Sequence, residues 1–305
     1  MQFSFVTFLN EYKQKRMSNL GLIIEERSRD IGDFLVGRLI PFRKKRMIGP
    51  FIFIDHMGPT QLGPTNYMDV DQHPHIGLST LTYMLEGEIM HEDSLGTKQL
   101  IQPGSVNWMT AGKGVSHTER TPQSLRGGKQ FTAHGYQIWV ALPKHLETME
   151  PNFHHIPASD LPRWTVEGAE FTLVAGEGYG KKSPVPVYSP LFMVEIKSKK
   201  SFVLDVAGQL QGEIGICIVE GGIKACDERI EKGNILVSKV EDVCTVHLEP
   251  NTHVLLFGGE PFEEECHIFW NFVSSDKEKI EQAKLAWQNK TFPMMANDTS
   301  YVPLP

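Results

Sequence analysis

The fold class rests on two stretches of sequence, HPHIGLSTLTYMLEGEIMHEDSLG (residues 73–96) and IQPGSVNWMTAGKGVSHTE (residues 101–119). Both consist of short β-branched or aromatic runs that are separated by Gly, Pro, Asn and Asp. Similar runs lie on either side, and no long amphipathic helical stretch interrupts them. The clearest runs are FIFID (51–55), STLTYML (79–85), VNWMT (106–110) and YQIWVAL (136–142). The pattern predicts an all-β fold, an antiparallel sandwich or barrel.

The second half of the chain resumes short strands and resembles a degenerate copy of the first half. TYMLEG (82–87) matches CIVEGG (217–222), and PGSVNWM (103–109) matches KGNILVS (232–238). Two copies are too few for a solenoid, so the repeat predicts two β-barrels. The predicted boundaries are an N-terminal extension at 1–16, an N-terminal barrel at 17–142, a linker at 143–163 and a C-terminal barrel at 164–305.

One helix is predicted near the C-terminus. Ser275 and Glu278 fit a capping box, and Ile280, Ala283 and Trp287 form an apolar stripe at helical spacing. We expect this helix to pack on a barrel.

Composition argues against several classes of function. The chain has 305 residues, which suits two domains of roughly 150 residues each. Its net charge of −7 argues against a general phosphate-binding surface. The basic cluster Arg43–Arg46 is interpreted as a solvated loop, so we expect no direct nucleic-acid binding. No apolar run reaches the ~18–20 residues that a membrane helix needs.

The N-terminus and the cysteines bear on localisation. Residues 1–16 do not resemble a secretory signal, because their positive charges follow the apolar stretch instead of preceding it. The four cysteines all lie in the second half and show no C-x-x-C spacing. In a chain of this size they indicate buried free thiols, and we expect a cytoplasmic protein without a membrane anchor.

Two short patterns, His73-Pro74-His75 and His117-Thr118-Glu119, carry the predicted chemistry. Residues i and i+2 project from the same face of a strand, so each pattern aims two side chains into one barrel. Three neutral imidazoles and one carboxylate suit divalent iron, manganese, nickel, copper or zinc. Four such ligands leave two positions of an octahedral ion open for substrate or dioxygen. The alternative is that four polar residues merely share a surface, but the surrounding sequence is apolar and burial without partners would be costly.

The stretch from His73 to Glu119 closely resembles the pirin family of the cupin superfamily. DHMGP (55–59) and the C-terminal GGEPF…FWNFVSS also resemble bacterial pirin-like proteins, and the resemblance runs from about Ile31 to Pro305. It implies a bicupin, in which two antiparallel β-barrels of the jelly-roll type face each other and one metal, usually Fe(II), lies in the N-terminal barrel. The family's ligand positions are occupied here by His73, His75, His117 and Glu119.

The resemblance implies an activity of the quercetin 2,3-dioxygenase type, in which Fe(II) and O₂ open the oxygen-bearing ring of a flavonol and carbon monoxide is released. Glu119 would then be both a metal ligand and the catalytic base that removes the proton of the substrate hydroxyl. The family also implies an alternative, an iron-dependent redox-sensing regulator that acts on a protein partner as a transcription cofactor or a modulator of a metabolic enzyme. A metal-binding storage or sensor barrel is a third interpretation.

The C-terminal barrel is predicted to hold no metal. The repeat places Ala207 and Gln209 where the N-terminal barrel has its first two histidines. His247-Leu248-Glu249 resembles the second pattern, but two ligands alone make a weak site.

Three further residues of the N-terminal barrel are of interest. His91 is a candidate base or substrate contact beside the metal ligands, or else an ordinary core or surface histidine. Trp108 and Met109 are expected to line the barrel, where they would shape an apolar substrate pocket.

Overall fold

The protein is described by a computed structural model over residues 21–30, 35–240 and 245–305, which form two units. The N-terminal unit comprises Arg27–Leu161, Pro184–Ser189 and Phe262–Pro305. The C-terminal unit comprises the described residues up to Glu26, Pro162–Ser183 and Pro190–Pro261. The predicted N-terminal extension, residues 1–16, lies outside the described residues.

Strands dominate both units, as the sequence predicts, and their hydrogen-bonded ladders are antiparallel. The first strands are β1 (Leu22–Glu25), β2 (Arg27–Asp30), β3 (Leu35–Ile40), β4 (Phe51–Leu62), β5 (Asp69–His75), β6 (Leu78–Glu86), β7 (Ile89–Asp93), β8 (Lys98–Ile101), β9 (Val106–Thr110), β10 (Val115–Arg120), β11 (Phe131–Ala141) and β12 (Asn152–Ile156). The later strands are β13 (Arg163–Val166), β14 (Ala169–Gly178), β15 (Lys181–Lys182), β16 (Leu191–Ser198), β17 (Phe202–Leu204), β18 (Glu213–Glu220), β19 (Gly222–Ala225), β20 (Glu228–Glu231), β21 (Asn234–Lys239), β22 (Val246–Leu248), β23 (Thr252–Gly259), β24 (His267–Phe269) and β25 (Phe272–Ser274). Within the described ranges the helices are two short 3₁₀ turns, Gln123–Leu125 and Lys144–Leu146, and the α-helix α1 (Lys277–Gln288).

The N-terminal unit contains a seven-stranded sheet in the order β12-β9-β6-β11-β4-β3-β2 and a four-stranded sheet in the order β5-β10-β7-β8. The central strand β6, LSTLTYMLE, is buried along most of its length, which suits its run of apolar and β-branched residues. Apolar side chains from the two sheets share one core, in which Met57 and Met84 of the larger sheet join Ile89 and Ile101 of the smaller sheet.

The C-terminal unit repeats this plan. An eight-stranded sheet runs β1-β21-β18-β23-β16-β14-β13, with β15 paired to β14, and a four-stranded sheet runs β17-β22-β19-β20. Their shared core includes Phe171 and Ile216 from the larger sheet and Phe202 and Val246 from the smaller one. Over the described ranges, the hydrogen-bonded sheets of neither unit close into a continuous barrel, so each unit is a two-sheet jelly roll. The prediction of a duplicated, mostly β fold with a C-terminal helix is confirmed.

The N-cap of the C-terminal helix α1 lies one residue later than predicted. The N-cap is Asp276, whose Oδ1 accepts a hydrogen bond from the Glu278 N–H at 2.9 Å. Ser275, the predicted cap, instead donates its own backbone N–H to Glu147 Oε1 at 2.6 Å. The predicted apolar stripe is buried as expected. None of the described helices is long and apolar enough to cross a membrane.

The C-terminal tail, residues 289–305, follows α1 and returns to the small sheet of the N-terminal unit. It forms hydrogen bonds with Gln72, a fully buried residue of β5. The Gln72 side-chain amide donates to the carbonyl oxygens of Asp298 and Ser300, both at 3.1 Å. Its carbonyl oxygen accepts from the Met295 N–H at 2.7 Å, and its backbone oxygen accepts from the Val302 N–H at 3.0 Å. The tail is therefore hydrogen-bonded to the strand that contains His73 and His75.

Segment 143–163, predicted as a linker, contains β12, which pairs with β9 of the N-terminal unit. The predicted domain boundaries stay a prediction. Cys217 and Cys266 are buried and form no disulfide, as expected, but the expectation of a thiol is wrong for Cys226, which is disulfide-bonded.

Candidate metal centre

Strands β5 and β10 lie side by side in the four-stranded sheet and bring the two histidine-containing patterns together. His73 on β5 lies directly opposite His117 on β10, and His75 lies opposite Val115. The ladder to β5 shifts between His117 and Glu119, whereas the ladder from β10 to β7 continues without a shift. Side chains that are 42 or more positions apart in sequence thus meet at one face of this sheet.

Three imidazoles form the first candidate group. One ligand nitrogen from each of His73, His75 and His117 lies within 4.8 Å of the others, and all three residues are buried. His75 Nε2 and His117 Nε2 are 3.1 Å apart. His73 Nδ1 donates to the carbonyl oxygen of Asp71 at 2.8 Å, so in the neutral ring Nε2 carries the lone pair.

The geometry and chemistry of this group fit a divalent transition metal. Two nitrogens at neighbouring corners of an octahedron, with bonds of about 2.1 Å, would lie about 3.0 Å apart. The 3.1 Å between the Nε2 atoms of His75 and His117 is close to that separation. Neutral imidazole is the form that binds metals, and burial favours the neutral form.

Glu119 belongs to a second group, with His91 and His117, whose ligand atoms also lie within 4.8 Å of one another. The four predicted ligands are therefore divided between two groups that share His117. Glu119 Oε1 accepts a hydrogen bond from Thr82 Oγ1 at 3.1 Å. The carboxyl group lines the same cavity as the two histidines of β5, which places it within reach of a ligand bound there. Its role as a metal ligand stays a prediction.

Burial sets the protonation of these groups. It lowers the pKa of His73 from 6.5 to about 4, and it lowers the pKa values of His75 and His117 well below 6.5. Burial raises the pKa of Glu119, because the opposing effects of His91 and of the Thr82 hydrogen bond are smaller. The site thus combines neutral histidines with a carboxyl group that holds a proton more readily than a solvated one.

We expect the metal-free protein to lose stability as the pH falls from about 7 to about 5. His73 has a pKa of about 4 in the folded protein and near 6.5 in the unfolded chain. Between these two values only the unfolded chain binds the proton, so a fall in pH through this range favours unfolding. For His73 alone the loss is about 2 kcal/mol over this interval, and His75 and His117 act in the same direction. Urea unfolding of chelator-treated protein at both pH values measures it. An unfolding free energy that does not change over this interval would contradict the prediction.

A cavity of about 360 Å³ lies beside the candidate centre. Its aromatic wall consists of Phe53 and Trp139, whose rings stack with centroids 3.9 Å apart at an angle of 12°. The Arg38 guanidinium lies over the Phe53 ring, 4.4 Å from its centroid, and makes two hydrogen bonds to Asp55, at 2.8 and 2.7 Å. Val302 of the C-terminal tail also lines the cavity. The cavity therefore combines an aromatic wall with charged and polar groups.

The aromatic wall was not predicted from the sequence. Phe53 and Trp139 both lie in runs recognised as strands, but they stack because they are direct partners in the register of β4 and β11. A strand-like run does not by itself fix its register. Trp108 and Met109, expected to line the barrel, are buried in the core and are not part of the lining of this cavity.

The remaining sequence candidates lie apart from the centre. In the C-terminal unit His247 is exposed, and Glu249 is held by Arg229 through hydrogen bonds of 2.8 and 3.0 Å from Nε and 2.8 Å from Nη2. Both groups of metal-ligating side chains found in the described part of the chain belong to the N-terminal unit. Residues 43–46 lie in the connection between β3 and β4, where Arg43, Lys44 and Arg46 are exposed.

Comparison with protein families matches the pirin domain to residues 34–140 and the pirin C-terminal cupin domain to residues 191–293. A pirin-like protein of Caulobacter vibrioides is 42% identical over 293 residues, which cover 94% of this chain and 99% of the relative. The two jelly-roll units, one with a histidine-rich centre, define a bicupin. The chain belongs to the pirin family.

Solved structures support the same assignment. The crystal structure of quercetin 2,3-dioxygenase from Acinetobacter baumannii matches with a TM-score of 0.85 and 36% identity, covering 94% of this chain and 96% of that chain. A bacterial pirin from Escherichia coli, solved in complex with nickel(II), matches with a TM-score of 0.61 and 19% identity, covering 79% of this chain and 99% of that chain. The second likeness concerns the fold alone.

Proposed function

We propose that the protein is an Fe(II)-dependent dioxygenase of the quercetin 2,3-dioxygenase type, with a flavonol and O₂ as substrates. The observation that carries the proposal is the group of three buried imidazoles and Glu119 beside a cavity with a stacked aromatic wall. The likeness to the Acinetobacter baumannii quercetin 2,3-dioxygenase supports the substrate class.

The proposed ligands are His73, His75, His117 and Glu119. Bound Fe(II) would supply a site for an anionic substrate oxygen and a route for electrons to O₂. The neutral imidazoles fix the ion without adding charge, because their burial disfavours protonation.

Glu119 is the proposed base. Burial raises its pKa in the metal-free protein, whereas a bound ion would lower it, so the two effects together would set the basicity of the carboxylate. Thr82 Oγ1 lies 3.1 Å from Glu119 Oε1 and orients the carboxyl group, which would take the proton of the flavonol 3-hydroxyl.

The cavity suits a planar aromatic substrate. Its volume of about 360 Å³ lies within the range of roughly 300–1,000 Å³ typical of small-molecule sites. Phe53 and Trp139 give the cavity an aromatic wall that fused apolar rings can contact.

The test is O₂ uptake and carbon monoxide release with quercetin by protein purified without oxygen or chelator and loaded with Fe(II). We expect Glu119→Gln to retain iron but to lower kcat by about 100-fold or more, because a glutamine cannot accept the proton. Glu249→Gln is the matched control, since it makes the same change at the exposed His-x-Glu of the C-terminal unit.

Each result discriminates between functions. Iron-dependent turnover that Glu119→Gln abolishes and Glu249→Gln preserves would support the dioxygenase. Stoichiometric iron without flavonol-dependent uptake would contradict it and would favour the iron-dependent redox regulator that acts through a protein partner.

A further inference from the structure

A chain of hydrogen bonds leads from the turn after β7 to His117. Asp93 Oδ1 accepts the backbone N–H groups of Leu95 and Thr97, both at 2.9 Å, which fixes the carboxylate. Its other oxygen, Oδ2, lies 3.2 Å from His91 Nε2. His91 Nδ1 lies 3.2 Å from His117 Nδ1. All three side chains of the chain Asp93–His91–His117 are buried, so solvent does not compete for these contacts.

The strand register holds this chain in place. β7 and β10 are neighbours, with Asp93 opposite His117 and His91 opposite Glu119. The His91 ring also stacks on Phe153, with centroids 4.7 Å apart at an angle of 25°. His91 is therefore fixed on its face by an aromatic ring and at both nitrogens by hydrogen-bond partners.

The hydrogen-bond donors and acceptors from Asp93 to His117 can be assigned by starting at the Asp93 carboxylate. A carboxylate oxygen only accepts, so the hydrogen between Asp93 and His91 belongs to His91 Nε2. A neutral His91 then has a lone pair at Nδ1 and accepts there. The hydrogen between the two rings therefore belongs to His117 Nδ1, which leaves the lone pair of His117 at Nε2.

We propose that Asp93 and His91 are positioning residues that set the tautomer of His117, so that Nε2 presents its lone pair to the metal. The inference rests on the metal centre of the proposed function. His117 Nε2 is the nitrogen that faces His75 Nε2 at 3.1 Å, on the side of the candidate three-histidine group. His91 lies on the opposite edge of the His117 ring and is not part of the cavity lining.

The same device occurs at the neighbouring strand. The Asp71 carbonyl oxygen accepts from His73 Nδ1 and sets the lone pair of His73 at Nε2. In two of the three imidazoles, those of His73 and His117, hydrogen-bond partners thus hold the lone pair on Nε2 before a metal binds. Partners of this kind that orient metal-ligating histidines are worth about 10–100-fold in metal affinity.

Asp93→Asn tests the proposal with almost no change in shape. The backbone donors Leu95 and Thr97 require an oxygen at the Oδ1 position, so the new amide nitrogen occupies the Oδ2 position and donates to His91 Nε2. His91 must then carry its hydrogen on Nδ1 and donate to His117, which moves the His117 hydrogen to Nε2. We expect the affinity for Ni(II), measured by chelator competition, to fall about 10–100-fold.

Glu92→Gln is the control, because it neutralises the adjacent carboxylate, which pairs with Lys98 at the surface. We expect its Ni(II) affinity to match that of the wild type. Wild-type Ni(II) affinity in Asp93→Asn would overturn the proposal. In His91→Gln the same partial loss supports it, whereas complete loss of Ni(II) would make His91 a ligand and overturn the positioning role.

A second measurement reads the tautomer in the wild-type protein itself and needs no active enzyme. Long-range ¹H–¹⁵N spectra of metal-free protein labelled on histidine report which ring nitrogen carries the hydrogen, and the spectrum of His117→Gln identifies the His117 signal. Hydrogen on Nδ1 of His117 supports the proposal, and hydrogen on Nε2 overturns it. Failure of flavonol turnover leaves both tests intact, so the two proposals fail separately.

Discussion

Replacing His75 with alanine is expected to remove stoichiometric metal binding, with the affinity lowered by more than about 100-fold. His75 is 1% exposed, and its Nε2 lies 3.1 Å from the Nε2 of His117, a separation that allows both nitrogens to bind the same ion. Orienting partners outside a metal's ligand set are worth about 10–100-fold, and loss of a ligand itself should exceed this. The two imidazoles that remain cannot form the three-histidine group.

Metal content by inductively coupled plasma mass spectrometry, after loading with Fe(II) or Ni(II), measures the effect. His247→Ala is the matched control, because His247 is also a strand histidine but its side chain is exposed. We expect it to retain the metal. Equal metal content in His75→Ala and the wild type would contradict the proposed centre, provided that both proteins show the same circular dichroism.

Replacing Trp287 with alanine is expected to destabilise the protein by about 3–5 kcal/mol, the usual cost of removing a large buried aromatic side chain. Trp287 is fully buried on α1 and stacks on Tyr301, with centroids 4.7 Å apart at an angle of 13°. Its Nε1 donates to the Val302 carbonyl oxygen at 2.9 Å, and the Tyr301 hydroxyl donates to the Trp287 carbonyl oxygen at 3.1 Å. The substitution leaves a cavity and removes a buried hydrogen bond.

Urea unfolding measures this loss, with Leu285→Ala as the control on the same helix. Leu285 is 57% exposed, so its truncation should change the unfolding free energy by no more than about 0.5 kcal/mol. The Trp287 substitution should also weaken metal binding, because Val302 lines the cavity and its N–H bonds to Gln72 beside His73. Equal unfolding free energies for the two variants would contradict the role assigned to the tail.

Local spacing was enough to predict the strands and the histidine pairs. Side chains two positions apart on a strand share a face, and this rule placed His73 with His75 before any tertiary structure was known. The same rule applied to His91 and Asp93 would have found the carboxylate that supports His91. The helix was predicted from its stripe, but its first residue was not, because Glu147, far away in sequence, takes the backbone N–H of Ser275.

The rest of the site depends on contacts that spacing cannot reveal. Phe53 meets Trp139 only through the register of two distant strands. The Gln72 backbone N–H donates to Ser300 Oγ, 228 positions later in the chain. Glu119 lies in one group with His91 because the two residues are direct partners in the ladder between β10 and β7. Such features follow from tertiary packing, which local residue preferences do not encode.

The placement of the histidines on paired strands has a consequence for metal identity. The paired strands bring together three imidazoles, a ligand type that suits several divalent transition metals. With the proposed set of three imidazoles and one carboxylate, the centre would follow the general affinity order of divalent ions, and the supply of each ion would then decide which one is bound. Protein produced in different growth media should therefore carry different metals, and the ion found after purification reports the medium as much as the polypeptide.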